Sequence, residues 1–158
     1  MDVADRVVLI TGASSGVGAA LAEKLAGMGA RAVVNYSRSA DAAEAVVSRI
    51  SAAGGQALAV QADVSEQADC QRLVAATIEQ FGRLDVLVNN AGTTTFVPHD
   101  QLDALTEEIW LRTLRVNLIG AFMMSREVAP HIEAAGGGEI IMTSSIASMT
   151  ANLSLIHI

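Results

Sequence analysis

The sequence predicts an α/β fold, a doubly wound parallel sheet, on three observations. Strand-like and helix-like segments alternate along the chain, the pattern of right-handed βαβ units whose helices cover both faces of a sheet. The first strand, Val7-Val8-Leu9-Ile10, is apolar at every position, as in a strand buried on both sides. Only 3% of the residues are aromatic in a chain that is 51% hydrophobic, so Ala, Val, Leu, Ile and Met must build the core, and these suit helices lying on such a sheet. With 158 residues there is room for one core and not for two independent domains.

Strands are expected near residues 6–12, 31–36, 57–62, 84–90 and 138–144, in the order 3-2-1-4-5, with helices near 16–28, 40–53, 66–81 and 104–134. The first helix carries Val17, Leu21, Leu25 and Met28 at three-to-four-residue spacing. Gly29, Gly54 and Gly82 are C-terminal stops, and Ser65 and Thr106 are N-caps of the third and fourth helices. The fourth helix is apolar around most of its circumference from Val116 to Met124, so one side should meet the sheet and the other a helix or a partner subunit. Pro130 should bend or loosen its last turn.

A formal charge of −7 leaves no basic footprint, which argues against nucleic acid and anionic membranes as partners. No apolar run approaches the ~18 residues of a membrane span. Met1 to Arg6 lacks the basic segment and apolar core of a signal peptide, so a cytoplasmic protein is expected. Cys70 stands alone in a helical pattern and reads as a small structural residue. His99, His131 and His157 are scattered without metal-ligand spacing, so no metal is expected. Glu107 and Glu108 suit the positive end of a helix, and Trp110 should pack on the sheet or cover the crevice.

Three clusters carry chemistry. In the first, the strand ending at Ile10 breaks into Thr11-Gly12-Ala13-Ser14-Ser15-Gly16-Val17-Gly18 and then turns helical, which outlines a phosphate site. A side chain at Gly12 or Gly16 would hold the backbone away from a pyrophosphate, Gly18 lets the helix lie close to the strand, and the helix N-terminus faces the negative charge. The spacing is not that of the general Gly-x-Gly-x-x-Gly dinucleotide fingerprint, and a ligand-free glycine turn is the competing reading. The second cluster, Leu84-Asp85-Val86-Leu87-Val88-Asn89-Asn90-Ala91-Gly92, ends the fourth strand and should face the same crevice, as should Asp63-Val64 after the third. The third, Ile140-Ile141-Met142-Thr143-Ser144-Ser145, ends the fifth strand in hydroxyls.

With these clusters in order, residues 5–152 resemble the classical short-chain dehydrogenase/reductase family, through its Thr-Gly-x-x-x-Gly-x-Gly, Asn-Asn-Ala-Gly, helix-four Asn and strand-five Ser motifs. The wording at Val34-Asn35-Tyr36-Ser37-Arg38-Ser39 is similar to the branch of 3-oxoacyl-carrier-protein reductases and glucose dehydrogenases. The resemblance implies a Rossmann-type fold and hydride transfer between a nicotinamide cofactor and a small alcohol or ketone, in a protein that is a homo-oligomer when full length. It gives Gly12, Ser14, Ser15, Gly16, Val17 and Gly18 to the pyrophosphate, Asp63 and Val64 to the adenine, and Asn90, Ala91 and Gly92 to the ribose side. Ser145 would bond the substrate oxygen, and Asn117 would hold the helix-four backbone and a water of the proton relay. Where an NAD enzyme carries an acidic residue, this chain has Asn35, Tyr36, Ser37 and Arg38, so Ser37 and Arg38 favour the 2′-phosphate of NADP, with NAD and a merely solvated Arg38 as the alternatives.

The chain departs from the family at its end. The family's Tyr-x-x-x-Lys begins about thirteen residues after the catalytic Ser, which lands on Ile158, and the one tyrosine present, Tyr36, sits at the adenosine end of the site. Likeness stops after Asn152. The six residues Leu153 to Ile158 are a translation of CTG TCT CTT ATA CAC ATC, the mosaic end of transposon-based sequencing libraries, and are expected to be a non-native tail on a truncated domain of residues 1–152. The reading is therefore an oxidoreductase whose 158-residue form is inactive and leaves the outer face of helix four uncovered, against a non-catalytic nucleotide-binding or subunit-pairing fragment.

Overall fold

Strand β1 (Val7–Ile10) lies at the centre of a five-stranded parallel sheet of order β3-β2-β1-β4-β5, with β2 (Arg31–Tyr36) and β4 (Val86–Asn89) as its neighbours and β3 (Gln56–Gln61) and β5 (Glu139–Met142) at the edges. The structure is a computed structural model, and it describes residues 2–98 and 100–145. The order is the expected one. Register pairs Ile10 with Val34 on one side and Val88 on the other, and Val88 with Ile141.

Alternation along β1 splits the core in two. Val7 and Leu9 face a layer with Leu73 and Val74 of α3 (Gln67–Phe81) and Met124 and Val128 of α5 (Ala121–Ala134). Val8 and Ile10 face Ala22 and Ala26 of α1 (Gly16–Gly27) and Val46 and Ile50 of α2 (Ala40–Ala52). An all-apolar strand is what a two-sided core demands.

Several local expectations need correction. Ser65 does not cap α3: Glu66 occupies the N-cap without a side-chain bond, because the Ser65 hydroxyl is held by the Asp63 carboxylate at 2.6 Å. Thr106 does cap α4 (Glu107–Leu114), its hydroxyl accepting from Ile109 N–H at 3.4 Å. The expected helix 104–134 comprises α4, a π-helical turn at Arg115–Gly120 and α5, after a short 3₁₀ turn at Leu102–Ala104. Pro130 does not loosen the end of α5, since Ala135 N–H still reaches the His131 carbonyl at 3.0 Å.

The apolar stretch 116–124 divides as its circumference requires. Met123, Met124 and Gly120 are buried against the core side, while Leu118 and Phe122 are 63% and 61% exposed. Strand β5 is exposed along its length. The proposed tail 153–158, His99, His157 and the Ile158 position lie outside the described residues. Among the described residues, no helix is long and apolar enough to cross a membrane.

At the opposite end of the strands from the glycine turn, Asp85 fastens three strands. Its fully buried carboxylate accepts from Val7 N–H at 2.9 Å, Arg6 at 2.7 Å and Arg83 Nε at 2.9 Å, and its carbonyl accepts from Glu139 N–H at 3.1 Å.

Candidate nucleotide site

The turns after β1, β2, β3 and β4 meet at the C-terminal edge of the sheet, where the order reverses direction around β1. They enclose a cavity of about 940 Å³ with α4 as its outer wall. Of the expected site residues, Gly12, Ser37, Arg38, Asp63, Val64, Asn90, Ala91 and Gly92 line it. Ser14, Ser15, Gly16, Val17, Gly18, Asn117 and Ser145 do not form its walls. Gly16 and Val17 are exposed at the start of α1, and Ser145 is exposed beyond the end of β5.

A row of polar groups inside apolar strands holds the edge together. Thr11 Oγ1 accepts from Asn90 N–H at 3.0 Å and Ala91 N–H at 2.9 Å, and Asn90 Nδ2 donates back to the Thr11 and Gly12 carbonyls at 2.9 and 3.2 Å. Asn35 Oδ1 accepts from Gly12 N–H at 3.2 Å, while its Nδ2 donates to the Ala62 carbonyl at 3.0 Å. Thr11, which opens the Thr-Gly-x-x-x-Gly-x-Gly motif, and Asn35, at the end of β2, align the glycine turn with β4, β2 and β3. The available signal is a polar residue in a strand that is otherwise buried and apolar, which must find internal partners.

The glycines fit a phosphate site for separable reasons. Gly12 has φ +63°, and a Cβ there would meet the Ala91 backbone at 2.9 Å. A Cβ on Gly18 would lie 2.6 Å from Asn90 Nδ2 and 2.8 Å from the Gly12 carbonyl, so α1 seats on the strand edge only without one. Ser15 makes no side-chain cap to α1, and the space before Gly16 is open. An open N-terminal turn with its N–H groups outward is the form that receives a pyrophosphate.

The asparagines separate by geometry. Asn89, expected at the crevice, is buried instead, its Nδ2 donating to Ser125 Oγ at 3.1 Å and so tying β4 to α5. Asn117, expected to hold the helix backbone, sits on the π-helical turn and grips Thr93 at both ends, Oδ1 accepting from its N–H at 2.8 Å and Nδ2 donating to its carbonyl at 3.0 Å. Two such bonds are worth about 1 kcal/mol each. Asn117→Ala is therefore expected to speed amide exchange across Thr93 to Val97 by roughly thirtyfold, measured by hydrogen exchange; unchanged rates would mean that the clip does not hold this loop.

Charges at the β2 and β3 end of the crevice are partly committed. Asp63 Oδ1 accepts from Ser65 N–H at 2.9 Å, and Asp63 N–H donates to Asp69 at 2.9 Å. The Arg72 hydrogen bond and the Asp63 N–H hold the Asp69 carboxyl below the ordinary carboxylate range. Arg38 has no side-chain partner among the described residues. Burial, with Glu127 and Asp69 nearby, pushes the Cys70 thiol up to about 11, and it donates to the Val64 carbonyl at 3.4 Å, so it is a packed structural thiol as expected. Trp110 is half-buried and is not part of the crevice wall.

A parallel sheet of this order, with a glycine turn and hydroxyl-lined crevice at its switch point, has the architecture of the doubly wound Rossmann-type α/β proteins. The family model described as short chain dehydrogenase matches residues 6–156, and the chain belongs to that family. It is 47% identical over 141 residues to a Streptomyces violaceoruber protein named for a ketoacyl reductase of the granaticin polyketide synthase, covering 89% of this chain and 55% of that one. It is 42% identical over 147 residues to the 3-oxoacyl-[acyl-carrier-protein] reductase of Synechocystis, covering 93% and 58%. A solved Serratia marcescens short-chain dehydrogenase/reductase, bearing two phenylalanine-to-tyrosine substitutions, superposes with TM-score 0.88 at 34% identity, over 99% of this chain and 63% of that one. The chain thus spans between half and two thirds of the length of these proteins.

Proposed function

We propose that residues 1–152 form the cofactor-binding part of an NADP(H)-dependent oxidoreductase acting on a small alcohol or ketone. The observation that carries the cofactor choice is the β2 turn, where Ser37, Arg38 and Ser39 line the crevice and no carboxylate stands to bond the ribose hydroxyls. The nicotinamide group, when bound, supplies or accepts a hydride. The chain's own residues hold it: Gly12, Ser14, Ser15, Gly16, Val17 and Gly18 wrap the pyrophosphate, Asp63 and Val64 meet the adenine, and Asn90, Ala91 and Gly92 border the ribose. Ser145 bonds the substrate oxygen, and Asn117 positions the loop after β4.

Arg38→Glu is expected to weaken NADPH binding at least tenfold, about 1.4 kcal/mol, while leaving NADH nearly unchanged, by calorimetric titration. Equal losses for both would remove the NADP assignment. The 158 residues contain the single tyrosine Tyr36, at the end of β2, so this polypeptide is expected to bind dinucleotide without turnover. Purified 158-residue protein that reduces a ketone would overturn that.

A second reading, subunit pairing, is favoured by the exposed Leu118, Ile119 and Phe122 along one helix face. It is compatible with the first, because homo-oligomers of a full-length protein would bury such a face.

A further inference from the structure

The π-helical turn at Arg115–Gly120 stands between two segments that line the crevice, the loop after β4 at Thr93 and the turn after β3 at Val64. On one side Asn117 grips Thr93, its Oδ1 accepting at 2.8 Å and its Nδ2 donating at 3.0 Å. On the other side Gly120 is buried, and a Cβ there would lie 2.9 Å from the Val64 carbonyl oxygen, 3.1 Å from Val64 Cγ2 and 3.2 Å from the Arg115 carbonyl oxygen. We infer that Gly120 is a positioning residue for the crevice: lacking a side chain, it seats the π-helical turn on the Val64 carbonyl, and that seat aims Asn117 at Thr93.

Three observations carry this. Gly120 has φ −60° and ψ −46°, a helical conformation open to any residue and one in which alanine is the better helix former, so it is close approach and not backbone freedom that asks for glycine here. The obstructing carbonyl is itself held: Val64 accepts from Cys70 Sγ at 3.4 Å, and the residue before it, Asp63, donates its N–H to Asp69 at 2.9 Å. A methyl group on Gly120 therefore lifts the helical turn and leaves Val64 in place. Asn117 lies three residues away on that one turn, so lifting at Gly120 swings the amide off Thr93. Arg115, bonded to Glu66 at 3.8 Å, ties the turn to the same side. A π-helical turn gripped at both edges is a strut that sets the spacing of the Val64 and Thr93 walls, whatever ligand occupies the space between them.

Hydrogen exchange read by NMR in the 158-residue protein tests this, with the buried Leu9 amide of β1 as the measure of global opening. Gly120→Ala is expected to speed the Thr93 to Val97 amides about fivefold relative to Leu9, the loss of one of the two Thr93 bonds. In the Asn117→Ala protein, where the clip is already gone, the same substitution is expected to change them less than about twofold. Gly27→Ala, whose Cβ meets nothing within 4 Å, is the control and leaves them unchanged in both. Val64→Ala removes the Cγ2 that borders the seat and keeps the carbonyl; this milder variant is expected to give about threefold with Asn117 present and no change without it. Equal speeding with and without Asn117 would make Gly120 a packing residue alone and overturn the inference, as would unchanged exchange in the parent background. If Gly120→Ala does not fold, the Val64→Ala comparison decides by the same criterion.

Discussion

Gly18→Val is expected to lower the melting temperature by about 10 °C and to abolish nucleotide binding. The reason is the seat of α1. The Cβ alone would stand 2.6 Å from Asn90 Nδ2, 2.8 Å from the Gly12 carbonyl and 2.9 Å from Ala13 Cα, and two of those three atoms are backbone. Neither backbone atom swings aside, so the helix must lift off the β1–β4 edge. Overpacking of this kind costs about 1–3 kcal/mol. Lifting also parts Asn90 from the Thr11 and Gly12 carbonyls, each bond worth about 1 kcal/mol net. At about 2–4 °C per kcal/mol for a domain near this size, a loss of some 3–4 kcal/mol gives the expected shift. Gly16→Ala is the control, because nothing lies within 4 Å of its Cβ and only the positive φ of +56° is strained, about 1–2 kcal/mol. A Gly18→Val protein melting within a degree or two of its parent would show that α1 does not need this seat.

The second large effect lies at the far end of the sheet. Asp85→Ala leaves Val7 N–H without its acceptor and parts Arg6 and Arg83 from the carboxylate between them. Both arginines are a little over one third exposed, so water takes over part of their charge, and the expected cost is about 2–4 kcal/mol by urea unfolding. Acid should do the same more gradually. Burial pushes the Asp85 carboxyl up, but hydrogen bonds from Arg83, Val7 N–H and Arg6 outweigh it and leave the folded value below the ordinary one. A carboxyl depressed in the folded state stabilises above its unfolded value of about 3.9, and that contribution fades as pH falls through the folded value. The stability gap between the parent and Asp85→Asn should be flat from about pH 7 to 5 and narrow below about 4. A gap that widens in acid would assign the wrong sign to this site.

Both predictions rest on features that differ in how far the sequence exposes them. The glycine turn was readable because glycine, apolar strand and helical spacing are contiguous, and local backbone demand alone selects them. That Ser37, Arg38, Asp63 and Val64 share one crevice is legible because they follow strands whose order the βαβ rule sets. The asparagines were not. Asn35, Asn89, Asn90 and Asn117 offer the same amide, and nothing in their neighbours' chemistry says that Asn89 ties β4 to α5, Asn35 joins three turns, and Asn117 grips Thr93. Ser65 misled for a similar reason, since a serine before a helix caps it only if its hydroxyl is free, and Asp63 takes this one.

The sequence by itself determined the class of fold, the strand order and the edge of the sheet at which the crevice opens, because strand runs, glycine positions and crossover handedness are short-range properties. Only the tertiary structure decided which side chains face the crevice and which serve the frame. That choice depends on strand register and on the turn of α4 and its π-helical continuation, which bring Arg112 and Glu108 to the cavity and Asn117 to Thr93. Those are contacts between residues distant along the chain, fixed by packing of the two core layers rather than by any local preference.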